Sequence, residues 1–191
     1  MRKLVVIEFI SLDGVIQSPG SVDEDTSGGF SRGGWIAGYD DPVVSGIIKD
    51  EMASSFDLLL GATTYGIWSR YWPERAGAWP SGARAMKYVV SENVGNPAWG
   101  PVTLIDGDVE GRIRGLKRTD GEDLRVYGSS LLVRSLLRLG LVDELWLKVY
   151  PIVIGEGKKL FDDGTPLARL DLFEGVVGPS GIASLKYRRR S

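Results

Sequence analysis

Two short stretches, Gly61-Ala62-Thr63-Thr64 and Gly128-Ser129-Ser130, each follow an apolar run and open a segment of helical periodicity. Glycine at a strand end lets backbone come close to a ligand, and the free N–H groups of the helix that follows carry partial positive charge. Hydroxyls beside those groups can donate to phosphate oxygens. Taken alone, each stretch reads first as a helix start capped by its own Ser or Thr, the commoner duty of these residues. Two of them at the carboxyl ends of parallel strands would hold a diphosphate from both sides, because ligands of open α/β sheets bind at that edge.

The sequence contains neither Cys nor His. Thiolate nucleophiles, Ser-His-Asp and Cys-His pairs and Cys/His zinc sites are thereby excluded. Chemistry then rests on carboxylates, hydroxyls, Lys, Arg, backbone amides or a borrowed cofactor. Asp13-Gly14, after the first apolar run, reads either as a turn or as a polar group, Asp13, facing the same cleft. Trp35 lies in the Gly/Ser/Asp-rich stretch 17–40 and is the aromatic placed to close over a planar ligand. Trp68, Tyr71, Trp72 and Trp79 read as core and rim packing, and Asp23, Glu24 and Asp25 as a solvated loop. Gly155-Glu156-Gly157 lacks the third glycine of a dinucleotide fingerprint and reads as a strand-end turn. Lys158 is followed by Lys159 rather than by the Ser or Thr of a Walker loop.

Alternating elements must position these groups. "KLVVIEFIS", "DLLLG", "MKYVV", "PVTLI", "LRVY" and "LVDELWLKVY" read as strands. Helices are expected after Asp41-Pro42, an N-cap followed by proline at the first helical position, and after Asp106 or Asp108. Another begins near Ser130, with Leu132, Leu136 and Leu139 as its stripe, Arg134 and Arg138 solvated and Gly140 as its stop. "ARLDLFEGVVGPSGIASLKYRRR" reads as a terminal hairpin. The expectation is an α/β fold in one domain spanning residues 1–191: a mixed, mostly parallel central sheet flanked by helices, with a C-terminal antiparallel hairpin. A net charge of −2 offers no field for nucleic acid or an anionic membrane. No apolar run approaches the roughly 18 residues of a membrane span. The N-terminal run, interrupted by Glu8, reads as a first strand of a cytoplasmic protein rather than a signal peptide.

In order, "SLDGVI", "GGFSRGGW", "LLLGATTY", "YWP", "KYVVS", "VYGSSLLVRSLLRLGLVDEL" and "YPIVIGEGKKLF" resemble the dihydrofolate reductase-like family that includes the reductase domain of the riboflavin-biosynthesis deaminase/reductase. The likeness is to its small stand-alone members. It implies a dihydrofolate reductase-like fold, NADPH across the strand ends, a small-molecule substrate and a homodimer. By motif, Gly61, Thr63 and Thr64 would meet the cofactor phosphates and Ser91 would lie near the adenosine ribose phosphate. Gly128, Ser129, Ser130 and Leu131 would hold the pyrophosphate. Ser11 and Gly14 would approach the nicotinamide and substrate side under a loop carrying Trp35, and Asp13 is the polar group assigned to the reacting centre.

Departures narrow what the resemblance implies. Ala62 stands where relatives commonly carry Arg for the 2′-phosphate, so Arg84 or Lys87 would have to substitute, with NADH as the alternative cofactor. Ser45 falls near the position of the pterin-protonating carboxylate, and "YGIWSRYWP" replaces an Asp-Pro substrate segment. Neither folate nor the phosphoribosylamino-uracil of the riboflavin pathway is therefore the expected substrate. The expected function is an NAD(P)H-dependent reductase of the riboflavin type, and the alternative is a nucleotide- or small-ligand-binding protein that kept the fold and lost catalysis.

Overall fold

The computed structural model describes residues 1–93 and 98–190. In chain order its elements are β1 (Leu4–Ser11), α1 (Pro42–Ala53), β2 (Asp57–Gly61), α2 (Ala62–Tyr71), α3 (Pro80–Arg84), β3 (Lys87–Val90), β4 (Val102–Ile105), α4 (Val109–Arg118), β5 (Leu124–Val126), α5 (Ser130–Arg138), β6 (Glu144–Tyr150), β7 (Leu170–Val177) and β8 (Ala183–Arg189). The strands form one sheet in the order β4-β3-β2-β5-β1-β6-β8-β7. From β4 through β6 neighbouring strands run parallel; β8 is antiparallel to β6 and to β7. The expected mixed sheet with a C-terminal antiparallel hairpin is thus the observed one.

Period-two alternation decides which side chains face which layer. On β2, Leu59 joins Leu4, Val6, Ile113, Leu124, Leu132 and Leu136 in one core under α4 and α5. Its neighbours Leu58 and Leu60 turn to the other face and pack with Phe56, Tyr65, Trp79 and Trp99. Helix boundaries follow their capping residues. Asp41 accepts from the amides of Val43 and Val44 to start α1, and Asp108 accepts from Gly111 to start α4. At Gly140 φ is +64°, and the chain leaves α5 there. The hydroxyl of Ser180, in the β7–β8 turn, donates to Asp41 at 2.6 Å, so one carboxylate joins the hairpin to α1.

Beneath α1 the sheet carries buried charge. Lys148 on β6 pairs with Glu51 of α1 at 2.6 Å, and Lys186 on β8 reaches the other Glu51 oxygen at 3.5 Å. Arg125 on β5 lies 4.4 Å from the Phe56 ring centroid and donates to the Ser54 hydroxyl, which fastens the end of α1 to the sheet. Removing one partner of a buried pair leaves an uncompensated charge, so Glu51→Leu is expected to cost about 3 kcal/mol of unfolding free energy. The double variant Glu51→Leu/Lys148→Met is expected to recover most of it; urea denaturation compares the two.

Candidate functional site

Because β3, β2, β5 and β1 are parallel neighbours in that order, their carboxyl ends lie side by side. Four groups singled out from sequence therefore share one edge: Ser91 after β3, Gly61 ending β2, Gly128 after β5, and Ser11 ending β1. Three inter-strand steps of roughly 4.8 Å separate the first from the last, a span of about 14 Å.

The two glycine–hydroxyl stretches meet in the middle of this edge. A Cβ on Gly61 would lie 2.4 Å from the hydroxyl of Ser129, and a Cβ on Gly128 would lie 3.2 Å from that of Thr64. Each glycine is thus the space into which the other stretch's hydroxyl fits, and at Gly128 a φ of +66° also favours glycine. Neither α2 nor α5 receives a side-chain cap at its N-terminus, in contrast to α1 and α4. The capping explanation for these hydroxyls is therefore not what the structure shows. Two uncapped helix starts converge, with Thr63, Thr64, Ser129 and Ser130 around them, a donor set whose chemistry fits a diphosphate. Leu131, the next residue of α5, is exposed.

Glu8, on β1, is the residue that sequence reasoning missed. Its carboxylate accepts the Gly128 amide proton at 2.9 Å and is buried. Burial pushes its pKa up to about 8, against the Gly128 amide, which lowers it, and with Glu24, which adds to the rise. Glu8 therefore carries a proton near neutral pH. A carboxylic acid inside a strand, with its partner 120 positions away, leaves no local pattern to find.

Asp13 has the opposite state. Burial opposes its charge, but the Ser11 hydroxyl and the amides of Ile154 and Gly155 outweigh that and hold its pKa down at about 2. The bonds are 2.7, 3.1 and 2.8 Å. Asp13 is thus an ionised polar group at the end of β1, and its donors tie the turn after β1 to the segment after β6. Ser11 shares that duty, since its hydroxyl also accepts from the Val15 amide, and Gly14 takes φ +86° to close the turn.

Trp35 is buried rather than poised over the cleft. Its indole N–H donates to the Gln17 carbonyl at 2.8 Å, and its ring meets Tyr150 edge-on at 5.6 Å between centroids. It anchors the 17–40 loop from within. The acidic run 23–25 is not simply solvated: Glu24 accepts from the Gly20 amide, and Asp25 pairs with Lys158 at 2.7 Å. Arg134 is likewise engaged, with Asp162 at 3.1 Å. Lys87 is buried, donates to the carbonyls of Ala83 and Gly100, and lies over the Trp99 ring. It is thus unavailable to a 2′-phosphate. Of the aromatic series, Trp79 is core and Tyr71 rim, while Trp68 and Trp79 pack against Tyr127, next to Gly128. Among the described residues there is no metal-ligating cluster and no helix long and apolar enough to cross a membrane.

Comparison with known proteins agrees with the fold. The family model for the RibD C-terminal domain matches residues 2–183. The chain is 29% identical over 136 residues to YyaP of Bacillus subtilis (strain 168), a protein itself described as uncharacterized, covering 68% of this chain and 72% of that one. A putative riboflavin biosynthesis protein from Shewanella sp. PV-4 superposes with a TM-score of 0.67 at 19% identity, covering 99% of both chains. Dihydrofolate reductase from Enterococcus faecalis, complexed with NADP(H), superposes with a TM-score of 0.59 at 16% identity over 99% of this chain and 97% of that one. A pyrimidine reductase-like protein from Corynebacterium diphtheriae gives 0.61 at 15% identity, covering 100% and 92%. The fold is dihydrofolate reductase-like.

The state of Glu8 has a consequence for stability. A carboxyl whose folded pKa lies above its unfolded value contributes stability fully below about pH 4.5 and loses it as pH rises through about 8. Glu8→Gln keeps an acceptor for Gly128 and removes the titration. Its stability relative to the unsubstituted protein is expected to rise between pH 5 and pH 8, by on the order of 4 kcal/mol, and then to level. Urea midpoints at three pH values would show this, and a constant difference would contradict it.

Proposed function

We propose that this chain, which belongs to the RibD C-terminal domain family, is a reductase that binds a nicotinamide dinucleotide along the carboxyl edge of β3, β2, β5 and β1. The observation that carries this reading is the convergence of two uncapped helix starts, each crowding the other's glycine. The amides opening α2 and α5, with the hydroxyls of Thr63, Thr64, Ser129 and Ser130, hold the diphosphate. Ser91 lies two strands to one side of Gly128 and receives the adenosine ribose; the Ser11–Gly14 turn lies one strand to the other side and receives the nicotinamide end. The bound cofactor supplies the hydride. The protein's share is orientation: its rigid strand ends fix the cofactor, and the 17–40 loop, anchored by Trp35 and Asp25, covers the approach.

The substrate class this supports is a small carbonyl or imine compound, reduced in the cytoplasm. With Lys87 engaged elsewhere and Ala62 and Leu131 uncharged, Arg84 is the cation of the original pair left to meet a 2′-phosphate. Both NADPH and NADH are therefore ligands to test.

Titration with each nucleotide, followed by tryptophan fluorescence, is expected to saturate below millimolar concentration, because Trp68 packs on Tyr127 beside the diphosphate site. Gly128→Val places a branched side chain against Thr64 in a left-handed backbone. It is expected to weaken binding by at least about tenfold, more than 1.4 kcal/mol, with the circular dichroism spectrum retained. Failure of the unsubstituted protein to bind either nucleotide overturns the reading. Binding without turnover on a carbonyl and imine panel would mark a nucleotide-binding protein instead of a reductase.

A further inference from the structure

Glu8 is a buried acid without a counter-ion. Around its carboxyl lie the Gly128 amide at 2.9 Å, from the β5–α5 connection, and, through space, the Tyr127 phenol and Glu24 of the 17–40 loop, another acid; the nearby cation Arg125 is spent on Tyr127 and on the end of α1. Among the described residues no Lys or Arg pairs with it. A buried carboxyl so placed keeps its proton, because ionisation would have neither solvent nor an opposite charge to stabilise it. Glu8 also takes the amide of the very residue that opens the diphosphate seat. It thereby fixes the Gly128 peptide against Thr64 and leaves the amides that follow in α5 for an anion.

These two properties act on one place. A neutral Glu8 orients Gly128 at no electrostatic cost to an anion bound at the start of α5. An ionised Glu8 would keep the hydrogen bond but set a negative charge directly behind the Gly128 peptide that opens the seat, in surroundings that screen it poorly. We propose that Glu8 is a positioning residue of the diphosphate seat, and that the seat accepts a dinucleotide only while the Glu8 carboxyl is protonated. The inference rests on the nucleotide-binding reading above and assigns that site an acid switch. Glu24 belongs to the same device, since its charge adds to the penalty for ionising Glu8.

The test is the dissociation constant of NADPH, and of NADH in parallel, from pH 6.5 to 9, for the unsubstituted protein and for Glu8→Gln and Glu8→Leu. In the unsubstituted protein it is expected to rise about tenfold between pH 7 and pH 9, the slope of one proton lost above about pH 8. Glu8→Gln is expected to bind at pH 9 as tightly as the unsubstituted protein does at pH 7, with no dependence on pH from this source. Glu8→Leu, which leaves the Gly128 amide without its acceptor, is expected to bind more weakly at every pH. Lys87 has its pKa lowered to about 8, chiefly by burial, and titrates in the same window. Its contribution is common to all three proteins and cancels in the comparison. Equal pH slopes in the unsubstituted protein and Glu8→Gln would overturn the inference while leaving nucleotide binding intact. No binding by either protein at pH 6.5 would overturn the nucleotide reading and this inference with it.

Discussion

The arrangement depends on where β5 goes. The chain lays down β1, passes over one strand's width to β2, continues to β3 and β4, and only then returns β5 into the gap between β2 and β1. That insertion forces two strand–helix junctions into adjacent positions, and the space between them holds no side chain larger than hydrogen at Gly61 or Gly128 without displacement. Hydroxyls take the room the glycines leave. The helices behind them point their uncapped starts at one another's junction, and the two apolar layers packed by Leu59 on one face and Leu58 and Leu60 on the other hold both strands rigid. Close approach of backbone, rather than any single side chain, is what makes the edge a site.

Around that edge the protein sorts its carboxylates by environment. Asp13 and Glu8 are separated by five positions and by nearly the full range of carboxyl acidity that a fold can impose. Asp13 gathers one hydroxyl and two amides and stays charged; Glu8 gathers one amide and a neighbouring acid and stays neutral. The difference lies first in burial, which encloses Glu8 but not Asp13, and then in the number of donors, and it gives the two acids separate tasks. Asp13 uses its charge to join the turns after β1 and β6, whereas Glu8 lies beneath a backbone where a charge would be harmful.

Much of the framework is legible from local pattern. Asp41-Pro42 and Asp108 announce their helices because capping is a property of neighbouring residues, and the strand sequence is readable because burial on two faces imposes continuous apolar runs. The glycine–hydroxyl pair is visible too, although only the sheet order shows that its members touch. What escapes the sequence is decided by distant partners. Lys87 looks like a cation available to a phosphate until the carbonyls of Ala83 and Gly100 and the Trp99 ring enclose it. Trp35 looks like a lid because it is aromatic in a polar loop, yet its N–H and ring are both directed inward. Glu8 carries no signal at all, since an isolated acid in a strand acquires meaning only from Gly128.

The sheet's parallel half also twists. Neighbouring strands rotate by roughly 20–25°, so the three steps from β3 to β1 turn the edge through about 65°. The ends carrying Ser91, Gly61, Gly128 and Ser11 therefore lie along a winding ramp, not a straight ledge. A stiff, planar molecule of the same length could rest on two of these positions but not on all four. For the dinucleotide proposed above, such an edge suits two flat ends joined by a swivel, with the swivel over the paired glycines. Curvature of the backbone thus imposes a choice by shape before any side chain is consulted.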